Sequence, residues 1–575
     1  MTIDFTFEIG GEAGQGVQSI GYILAKCFAR GGWNVFVCQD YESRVRGGHN
    51  FFLVRISGKP VRATSEKVDM LIALNRETVE LHKNDLNEKS VMIFDGEKTG
   101  LAFDESKFFN IPLEKLAKER TDSKVFSNAV AMGAALSLVN YDFEILNEAL
   151  VDMFGKKGAN ISDQNIDTAK AGWEYVKKYF KGDFTYRLKP FNSPRKILMN
   201  GNEAIGLGAL AAGCKFYSGY PMTPSTGVMQ YLSGKAKEYN LVVEQAEDEI
   251  AALNMVLGAS FAGVRAMTGT SGGGFCLMVE ALGLAGMTET SVVIVEGQRP
   301  GPSTGLPTRT EQGDLEFVIH AAHGEFPRAV LTPGSVEDAF RLTVKAFNLA
   351  DKYQSPVIIM TDQYLADSYC TTEKFDFSKI KIERGSLLSG EKMTLPSDYM
   401  RHRITDSGIS PRAIPGQNGV LVVTDSDEHS EDGHITELDD VRTGMVSKRL
   451  KKLEGLAAEV ELPVSYGAES ADFLLIGWGS TLGALKETVD ILSAESFSVR
   501  MICLQQVWPF PREAVSKAMT ATTNSFIVES NAMAQLAHLI RAETGISVSG
   551  KILRFDGRPL TPHYISQAFK REVKA

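Results

Sequence analysis

The sequence predicts an α/β protein made of several parallel-sheet domains. Short apolar and β-branched runs alternate with segments of helical periodicity along most of the chain, a pattern typical of sheets covered by helices. The chain has 575 residues, 43% of them hydrophobic and 23% charged, which is ordinary for a globular protein. That length is enough for about four domains.

The first α/β domain is predicted over residues 1–182. The helix VQSIGYILAKCFARGG ends in two glycines, which are a usual helix stop. Strands that alternate with such helices favour a parallel sheet. They are expected at FTFEIGG, NVFVC, FFLVRIS, DMLIALN and VMIFD. The polar segment 183–195, with its Gly and Pro residues, is predicted to be a linker.

Two further α/β domains are expected in the rest of the chain. Residues 196–375 alternate strand and helix patterns, and so do residues 466–575. Residues 376–465 between them are polar and irregular. This stretch is long for a loop, so we expect it to be a functional crossover or a connecting lobe.

Composition excludes several classes of protein. The net charge of −10 argues against a nucleic-acid-binding role. No run approaches the roughly 18 apolar residues of a membrane span, and the first residues lack the basic and apolar regions of a signal peptide. The six cysteines are scattered singly, so no strong zinc or iron–sulfur signature is present and a reducing cytoplasm is expected. They are Cys27, Cys38, Cys214, Cys276, Cys370 and Cys503.

A glycine-rich turn, IGGEAGQGVQS, follows the first predicted strand. Such a turn brings backbone N–H groups and a helix N-terminus towards a phosphate. Its glycines include Gly14 and Gly16, and their spacing differs from the GxGxxG of NAD-binding turns, in which Asp40 would be the ribose-binding acid. We expect a phosphate or nucleotide-like ligand, with a classical NAD site and a mere packing turn as the alternatives.

Two arginines follow the next strand, in YESRVRGGHN. Arg44 and Arg46 lie beside glycines, which suits bidentate recognition of phosphate. The alternative is a pair of solvated arginines. Both possibilities stay open at this point.

Glu249 begins the helical pattern EIAALNMVLGASFAG. On a helix it shares a face with Ala252, Leu253 and Val256, at spacings of three, four and seven. A carboxyl group among apolar side chains is suited to donate or relay a proton. The alternative is an acidic residue in the first helical turn, half exposed and favoured by the helix dipole.

Two loops after predicted strands are candidates for ligand binding, since α/β folds bind ligands at strand C-termini. TGTSGGG could cradle a phosphate or simply let backbone pack closely. GQRPGPSTGLPTRTEQGDL carries Arg299 and Arg309, each of which could clamp a carboxylate bidentately or lie in solvent. The acidic stretch DSDEHSEDGHITE lacks the spacing of a calcium loop and is expected to be solvated.

Together and in this order, the motifs resemble the 2-oxoacid:ferredoxin oxidoreductases. The chain is most similar to the α-subunit of a 2-oxoglutarate-type enzyme with its γ-domain fused at the N-terminus, and the resemblance covers nearly the whole chain. It implies a pyrimidine-type domain of thiamine diphosphate (ThDP) enzymes and a transketolase C-terminal-like domain. The motifs that carry it are GGEAGQGVQSIGYILA, YESRVRGGHNFFLVRIS, GNEAIGLGALAAG, YPMTPST, EDEIAALNMVLGASFAG, TGTSGGG, GQRPGPSTGLPTRTEQGDL, LLIGWGS, WPFP and VESN.

The resemblance implies roles for the YPMTPST turn. In the family this turn lies over ThDP and the 2-oxoacid, so Tyr220 would contact the cofactor and Pro221 the substrate. Thr223 would face the reacting carbonyl as a catalytic and substrate-binding residue. Because Pro224 suits a first helical position, we expect Thr223 to be the N-cap of the following helix.

Three more residues receive roles from the resemblance. Glu249 matches the family glutamate that binds and activates the ThDP aminopyrimidine. Arg299 matches the arginine that grips the substrate carboxylate beside the ketone. Arg309 is expected to read the distal carboxylate, because a dianionic substrate needs a second cationic site.

Two family features are missing from the sequence. There is no GDG…N motif for the magnesium diphosphate, and there are no cluster-binding cysteines. Both belong to the family's β-subunit, so a β-subunit with Mg²⁺ and a [4Fe-4S] cluster is expected in an (αβ)₂ heterotetramer. Coenzyme A (CoA) is expected in the γ-like domain, at Gly14, Gly16, Arg44 and Arg46.

The activity implied is CoA-dependent, reversible oxidative decarboxylation of 2-oxoglutarate to succinyl-CoA and CO₂, with ferredoxin as electron carrier. One alternative is the same chemistry on branched-chain 2-oxoacids or pyruvate. The alternative from another class is a non-catalytic, CoA- or nucleotide-binding regulatory subunit. The joint presence of Thr223, Glu249 and Arg299 argues against that class.

Overall fold

The structure, a computed structural model, describes residues 3–44, 47–191, 194–388, 398–417 and 420–574. The chain divides into two compact units. The first consists of Met1–Met199, Ser368–Lys374 and Thr561–His563, and the second of Asn200–Asp367, Phe375–Leu560 and Tyr564–Ala575. The five-part division expected from the sequence stays a prediction, and each unit is described by itself.

The first unit is built on an eight-stranded sheet with the order β6-β5-β4-β1-β3-β2-β14-β7. Its strands are β1 Asp4–Ala13, β2 Asn34–Asp40, β3 Gly47–Ser57, β4 Val68–Ala73, β5 Leu86–Phe94, β6 Phe108–Asn110, β7 Ile197–Met199 and β14 Cys370–Thr372.

This sheet is mixed, which corrects the expectation of a purely parallel sheet in the first domain. Strands β1, β4, β5 and β6 are parallel, but β3 is antiparallel to both β1 and β2. Only residues 41–46 join β2 to β3, and a parallel pair needs a crossover of a dozen residues or more. The short connection therefore forces an antiparallel pair.

Seven helices belong to the part of the first unit that the structure describes before β7. The core lies between β1, whose inward residues Phe5, Phe7 and Ile9 are fully buried, and helices including α1. The helices are α1 Val17–Arg30, α2 Arg76–His82, α3 Gly96–Thr99, α4 Leu113–Thr121, α5 Ser127–Leu138, α6 Phe143–Phe154 and α7 Ala159–Tyr179.

The second unit contains a seven-stranded sheet with the order β18-β12-β13-β11-β10-β8-β9. All its paired strands are parallel except β18, which is antiparallel to β12. The strands are β8 Phe216–Gly219, β9 Val242–Gln245, β10 Ala266–Thr270, β11 Val292–Gln298, β12 Ala329–Leu331, β13 Pro356–Asp362 and β18 Gln506–Trp508. The continuous burial of β11 and β13 fits parallel strands covered on both faces.

A five-stranded sheet in the same unit has the order β15-β17-β16-β19-β20. Strands β17, β16, β19 and β20 are parallel, and β15 is antiparallel to β17. The strands are β15 Val464–Gly467, β16 Phe473–Trp478, β17 Val499–Leu504, β19 Asn524–Glu529 and β20 Gly550–Leu553. The fold class predicted from the sequence is therefore confirmed: parallel pairs dominate the seven-stranded and five-stranded sheets, and the eight-stranded sheet is mixed.

Twelve helices follow β7 in the described part of the chain. No helix among the described residues has the length and apolar character needed to cross a bilayer. The helices are α8 Gly201–Ala211, α9 Thr226–Tyr239, α10 Glu249–Phe261, α11 Gly272–Met287, α12 Leu315–His320, α13 Val336–Tyr353, α14 Gln363–Asp367, α15 Asp439–Ala458, α16 Thr481–Ala494, α17 Arg512–Thr520, α18 Gln535–Thr544 and α19 Pro562–Lys574.

Helix α15 was not expected in the polar segment 376–465. Its buried positions recur at helical spacing, but Lys448, Arg449 and Lys452 occupy three of them. Lys448 and Lys452 form ion pairs with the buried carboxylate of Glu289. Burial by itself would raise the pKa of Glu289, but the two lysines hold it well below its usual range. A search for apolar periodicity misses this helix because charged residues fill its inner face.

Candidate functional site

The candidate site of the second unit lies at the carboxyl edge of the seven-stranded sheet. The predicted residues follow four neighbouring strands: Thr223 follows β8, Glu249 follows β9, Gly272 follows β10 and Arg299 follows β11. Parallel strands bring their carboxyl ends to one edge, where α/β folds bind ligands. The sheet therefore gathers residues that are up to 76 positions apart in the chain.

The YPMTPST turn differs in one respect from the sequence expectation. Helix α9 begins at Thr226 with Ser225 at its N-cap, so Thr223 is not the cap and Pro224 is not the first helical residue. The Thr223–Pro224 peptide is cis. Residues 223–225 form a separate turn, in which the hydroxyl of Ser225 donates to the Met222 carbonyl at 2.9 Å. The helix begins only after this turn closes.

The structure brings Arg299 and Thr223 together. Nη1 of Arg299 donates to the carbonyl oxygen of Thr223 at 2.9 Å. Gly297, two residues earlier, lies so close to Pro224 that an added Cβ would be 2.9 Å from its Cγ. Burial lowers the pKa of Arg299, yet a guanidinium stays charged at neutral pH. A half-buried cation is thus held directly against the turn.

Tyr220 and Pro221 lie at the outer side of the same turn. Tyr220 is 40% exposed and Pro221 is also exposed. Thr223 is half-buried, and Pro224 is buried. The turn therefore presents its first two residues outward and packs its centre onto the sheet.

Glu249 is the first residue of α10 and is only 3% exposed. Ala252, Leu253 and Val256 on the same face are fully buried. This excludes the half-exposed alternative. Its Oε1 atom is buried and has no hydrogen-bond partner within the chain. Such an atom is costly to leave unsatisfied, so it marks a position where a ligand donor would fit.

The TGTSGGG turn lies against Glu249. A Cβ added at Gly274 would overlap Oε1 of Glu249 and Oγ1 of Thr270, and a Cβ added at Gly272 would overlap the carboxylate of Asp314. Glycine is therefore required here to admit side chains of the protein itself. The hydroxyl of Ser271, at the N-cap of α11, is also buried without a partner.

Buried carboxyl groups near this edge were missed in the sequence. Burial and the neighbouring carboxyl of Asp314 raise the pKa of Glu296 well above its usual range. Burial raises the pKa of Asp362 to about 6, and burial with Asp314 raises that of Glu311 to about 7. Glu296 stands in the otherwise apolar strand VVIVEG, and an acid in a strand buried on both faces is the signal that could have found it.

Arg309 lies on the buried half of the 299–313 loop. Its own side chain is half-buried, between the buried Thr308 and Thr310. Its stem runs beside Gly557, where an added Cβ would be 3.1 Å from the Arg309 Cβ. Its position is therefore set by packing against the loop after β20.

The first unit contains a separate cleft at its own glycine-rich turn. This cleft has a volume of about 330 Å³ and is lined by Gly14, Gly16 and Arg44, as well as Asp40 and Glu42. Arg44 is two-thirds exposed and pairs with Glu42 at 3.0 Å. The structure thus brings three of the four residues predicted for CoA to one cleft. Arg46, the fourth, lies outside the described residues.

The N-terminus of α1 opens into this cleft. Gly16, its N-cap, has a φ of 81°, and no side chain caps the helix. A Cβ added at Gly14, with φ of 92°, would meet nothing within 4 Å. Uncapped N–H groups at a helix start favour an anion, and the open space beside them is large enough for a ligand.

Three models from one enzyme family match this chain. The pyruvate flavodoxin/ferredoxin oxidoreductase model for thiamine diphosphate binding matches residues 207–447. The pyruvate ferredoxin/flavodoxin oxidoreductase model matches residues 6–175, and the pyruvate:ferredoxin oxidoreductase core domain II model matches residues 471–565. Together they span more than half of the chain.

Individual proteins are similar over almost the full length. A Sulfolobus 2-oxoacid:ferredoxin oxidoreductase subunit alpha is 35% identical over 98% of this chain and 96% of its own. The 2-oxoglutarate synthase subunit KorA of Archaeoglobus fulgidus is 34% identical over 58% of this chain and 88% of its own. The solved 2-oxoglutarate:ferredoxin oxidoreductase of Magnetococcus marinus, with 2-oxoglutarate, coenzyme A and succinyl-CoA bound, is 34% identical with a TM-score of 0.91, and 99% of each chain is covered.

Proposed function

The chain belongs to the α-subunits of the 2-oxoacid:ferredoxin oxidoreductases, and from this we propose that it oxidises 2-oxoglutarate. The reaction joins 2-oxoglutarate and CoA to give succinyl-CoA and CO₂, and two electrons pass to ferredoxin. The contact between Arg299 and Thr223 at the carboxyl edge, together with the buried Glu249 at the start of α10, supports the proposal. The full-length likeness to the Magnetococcus marinus enzyme supports the substrate.

Glu249 fits the aminopyrimidine of ThDP. Its unpartnered, buried Oε1 is the acceptor that a pyrimidine N–H would complete, and Gly274 leaves the space that brings the carboxyl there. When bound, ThDP supplies the nucleophilic carbon that attacks a 2-oxoacid carbonyl and accommodates the electrons of decarboxylation. Glu249 would hold the ring and exchange a proton with it.

Arg299 is the proposed partner of the carboxylate beside the ketone. Its Nη1 is engaged by the Thr223 carbonyl, and a guanidinium has five N–H donors in a planar fork. The remaining donors suit a bidentate grip on a carboxylate. The contact with Thr223 holds the guanidinium beside the turn, where it would bind that carboxylate.

Arg309 is the proposed partner of the distal carboxylate. It shares the 299–313 loop with Arg299, and its stem packs beside Gly557. A substrate with two carboxylates needs a second cation, and a hydrogen bond to a charged group contributes roughly 1.5–3 kcal/mol. Pyruvate and branched-chain 2-oxoacids have no group for this contact.

A partner subunit is expected to cover the apolar surface around Glu249. Large hydrophobic side chains that are at least 40% exposed lie on α10, on the YPMTPST turn, and on β9 and α11, and exposed apolar surface of this kind indicates an interaction site. They are Tyr220, Val242, Ile250, Met255 and Leu277. We assign this surface to a β-subunit that holds the ThDP diphosphate with Mg²⁺ and a [4Fe-4S] cluster, in an (αβ)₂ heterotetramer in the cytoplasm. Relatives named subunit alpha support such a partner.

The cleft of the first unit is the proposed CoA site. Gly14 and Gly16 expose the start of α1, where backbone N–H groups would bind phosphate. Arg44 lines the same cleft and is mostly exposed, so it can turn from Glu42 to a phosphate. The acids Asp40 and Glu42 also line it and would face the parts of the ligand that carry hydroxyl or amino groups.

The experiment is 2-oxoacid-dependent dye reduction by the chain purified with its partner subunit. We expect kcat/KM to be highest for 2-oxoglutarate, ahead of pyruvate and 2-oxoisovalerate. The substitution Arg309→Met removes the cation and should lower kcat/KM for 2-oxoglutarate by about 10- to 150-fold, the value of one charge-assisted bond. The kcat/KM values for pyruvate and 2-oxoisovalerate should change little.

The controls separate the parts of the proposal. The chain without its partner should reduce no dye and contain no cluster iron. A wild-type preference for pyruvate or 2-oxoisovalerate would show that the substrate is wrong. An equal loss for all three substrates in Arg309→Met would show that Arg309 is structural.

A further inference from the structure

The 299–313 loop has two halves that differ in burial. Residues 301–306 are all exposed, whereas Thr308, Thr310 and Gln312 are buried. Arg299 begins the loop, and Arg309 lies within its buried half. The groups that hold the buried half therefore also set the position of Arg309.

Gln312 is the most completely bonded residue of this loop. Its backbone N–H donates to the Ser530 carbonyl at 2.7 Å, and its own carbonyl accepts from Nδ2 of Asn531 at 3.0 Å. Its side-chain Nε2 donates to the Trp478 carbonyl at 3.0 Å, and its Oε1 accepts from the Ser530 N–H at 3.1 Å. All four polar groups of a residue that is 1% exposed are thus satisfied by the five-stranded sheet domain.

The turn between β19 and α18 continues this contact. Gln535 donates from Nε2 to the Gly313 carbonyl at 2.6 Å and accepts from the Glu316 N–H at 3.0 Å. Beneath the turn, the buried Glu529 accepts from Nδ2 of Asn531 at 2.8 Å. The turn 530–535 therefore binds both the end of the loop and the start of α12.

A second connection starts from the turn after β16. The hydroxyl of Ser480 donates to Oδ2 of Asp362, at the end of β13. Oγ1 of Thr310 accepts from the Tyr364 N–H at 3.2 Å, and the Thr310 N–H donates to the Gly557 carbonyl at 3.3 Å. Three turns of the five-stranded sheet domain, after β16, β19 and β20, converge on this loop.

We propose that these turns position the substrate arginines, with Gln312 as the central positioning residue. The five-stranded sheet domain then contributes to substrate binding although none of its side chains is assigned to the reaction. This inference rests on the proposed function, because it takes Arg299 and Arg309 as the residues that bind the oxoacid. It gives the GWGS and VESN segments a role that their sequence alone does not reveal.

Loosening the loop should affect substrate binding more than turnover. Arg309 would hold the distal carboxylate, which takes no part in the reaction, equally in the bound substrate and in the transition state, and loss of such uniform binding raises KM with little change in kcat. Glu249 lies on α10, outside the loop. Activation of the cofactor should therefore persist.

The test compares Gln312→Met with a matched variant, Gln354→Met, in the enzyme purified with its partner subunit. Gln354 is also 1% exposed, and its amide bonds the Ser410 carbonyl and Arg401 rather than the loop. For Gln312→Met we expect the oxoacid KM to rise by about tenfold, the lower end of the fold-change expected when one charge-assisted hydrogen bond to a carboxylate is lost. The KM for CoA, kcat and all parameters of Gln354→Met should change less than about twofold.

Hydrogen exchange of the purified chain gives a readout that does not depend on activity. Gln312→Met should accelerate exchange at the amides of Thr310, Gln312 and Glu316, which the contacts above protect, and Gln354→Met should not. Equal KM increases in both variants, or an unchanged KM and exchange in Gln312→Met, would overturn the inference.

If Gln312→Met does not fold, the variant Ser480→Ala tests the inference instead. It removes only the bond to Asp362, so a smaller rise of the oxoacid KM and faster exchange near Thr310 are expected. No change in either measurement would overturn the inference. If the wild type prefers another 2-oxoacid, the proposed substrate fails, while the same comparison with the accepted oxoacid still tests the positioning role.

Discussion

The two units each contain a glycine-rich turn between a strand and a helix. The space that the glycines leave where other residues have a side chain is filled differently in the two turns. In the first unit, a Cβ added at Gly14 would meet nothing within 4 Å, and the turn opens into a cleft. In the second unit, the space at Gly272 and Gly274 is filled by the carboxyl groups of Asp314 and Glu249.

The difference teaches that a glycine-rich turn does not by itself identify a phosphate site. The first turn leaves room for a ligand from solvent, next to the uncapped start of α1. The second leaves room for carboxyl groups of the protein itself, one of which, that of Glu249, is buried with an unsatisfied oxygen. Both turns are rich in glycine and join a strand to a helix, and the packing around them separates the two uses.

The largest expected effect comes from removing the acid at the second turn. Glu249→Gln keeps the size of the side chain but cannot exchange a proton, and such a contribution is typically about 10²–10⁴-fold. We expect cofactor C2 proton exchange and turnover to fall by that range, with folding intact. The control is Glu247→Gln, at an exposed residue of the same segment. In this variant the cofactor C2 proton should exchange at the wild-type rate. Wild-type exchange in Glu249→Gln would move the role elsewhere, with Glu247 as the next candidate.

A direct test of the comparison places alanine in each turn. Gly274→Ala would push on Glu249 and Thr270. It should lower turnover by about 10²-fold, the cost of a displacement of about 1 Å at a catalytic group. Gly14→Ala meets no atom, so its cost is the strained backbone at φ of 92°, about 1–3 kcal/mol of stability. Turnover at saturating CoA should then stay near wild type.

Steady-state kinetics and thermal unfolding of Gly274→Ala and Gly14→Ala test this comparison of the two turns. The comparison would be wrong if Gly274→Ala kept full turnover, because the glycine would then not be needed to admit Glu249. It would also be wrong if Gly14→Ala abolished turnover at saturating CoA. That result would indicate a catalytic role at the first turn.

The smallest effect concerns the buried acid of the first unit, which lies within a strand and not at the turn. Burial, together with the charge of Asp85, raises the pKa of Glu8 to about 8. An unfolded glutamate releases its proton near pH 4.3, so the folded state retains a proton that the unfolded state has lost. The stability contributed is full below that pH and is lost as pH rises through about 8.

Glu8→Gln should therefore match the wild type near pH 4 and become more stable as pH rises to 8. A gain of at least about 2 °C in unfolding temperature is expected, since 1 kcal/mol corresponds to about 2–4 °C for a unit of this size. Hydrogen exchange of the β1 amides assigns the change to the first unit, and Glu77→Gln, on exposed α2 surface, is the control. The Oε1 atom of Glu8 lies 3.1 Å from Nδ1 of His82, so a gain that shrinks with rising pH would show that Glu8 is ionised beside that imidazole. A changed affinity for CoA would link Glu8 to the cleft.

Local patterns in the sequence determined much of the fold and part of the site. The alternation of strands and helices predicted the α/β class because burial repeats along each element. The spacing of Glu249, Ala252, Leu253 and Val256 predicted a carboxyl group on a buried helix face, and the structure buries all four. The position of Arg299 after a strand predicted its place at the carboxyl edge.

Other elements followed no local pattern. The turn at residues 223–225 precedes α9, which begins only at Thr226. In the first sheet β14 pairs with β7, and Cys370 lies opposite Met199, 171 residues away in the chain. Helix α15 buries Lys448 and Lys452 because the carboxylate of Glu289, 159 residues away from Lys448, pairs with both. In each case a distant partner decides, and periodicity cannot report it.

The sequence by itself determined which residues carry the chemistry, since their types and their places after strands are local properties. Only the tertiary structure decided what surrounds them. Glu249 Oε1 lies buried and unpartnered beside Gly274, and Gln312 is bonded to residues more than 160 positions away. The physical reason is that hydrogen bonds and burial depend on distance in space, and contacts between distant segments leave no spacing in the chain from which they could be inferred.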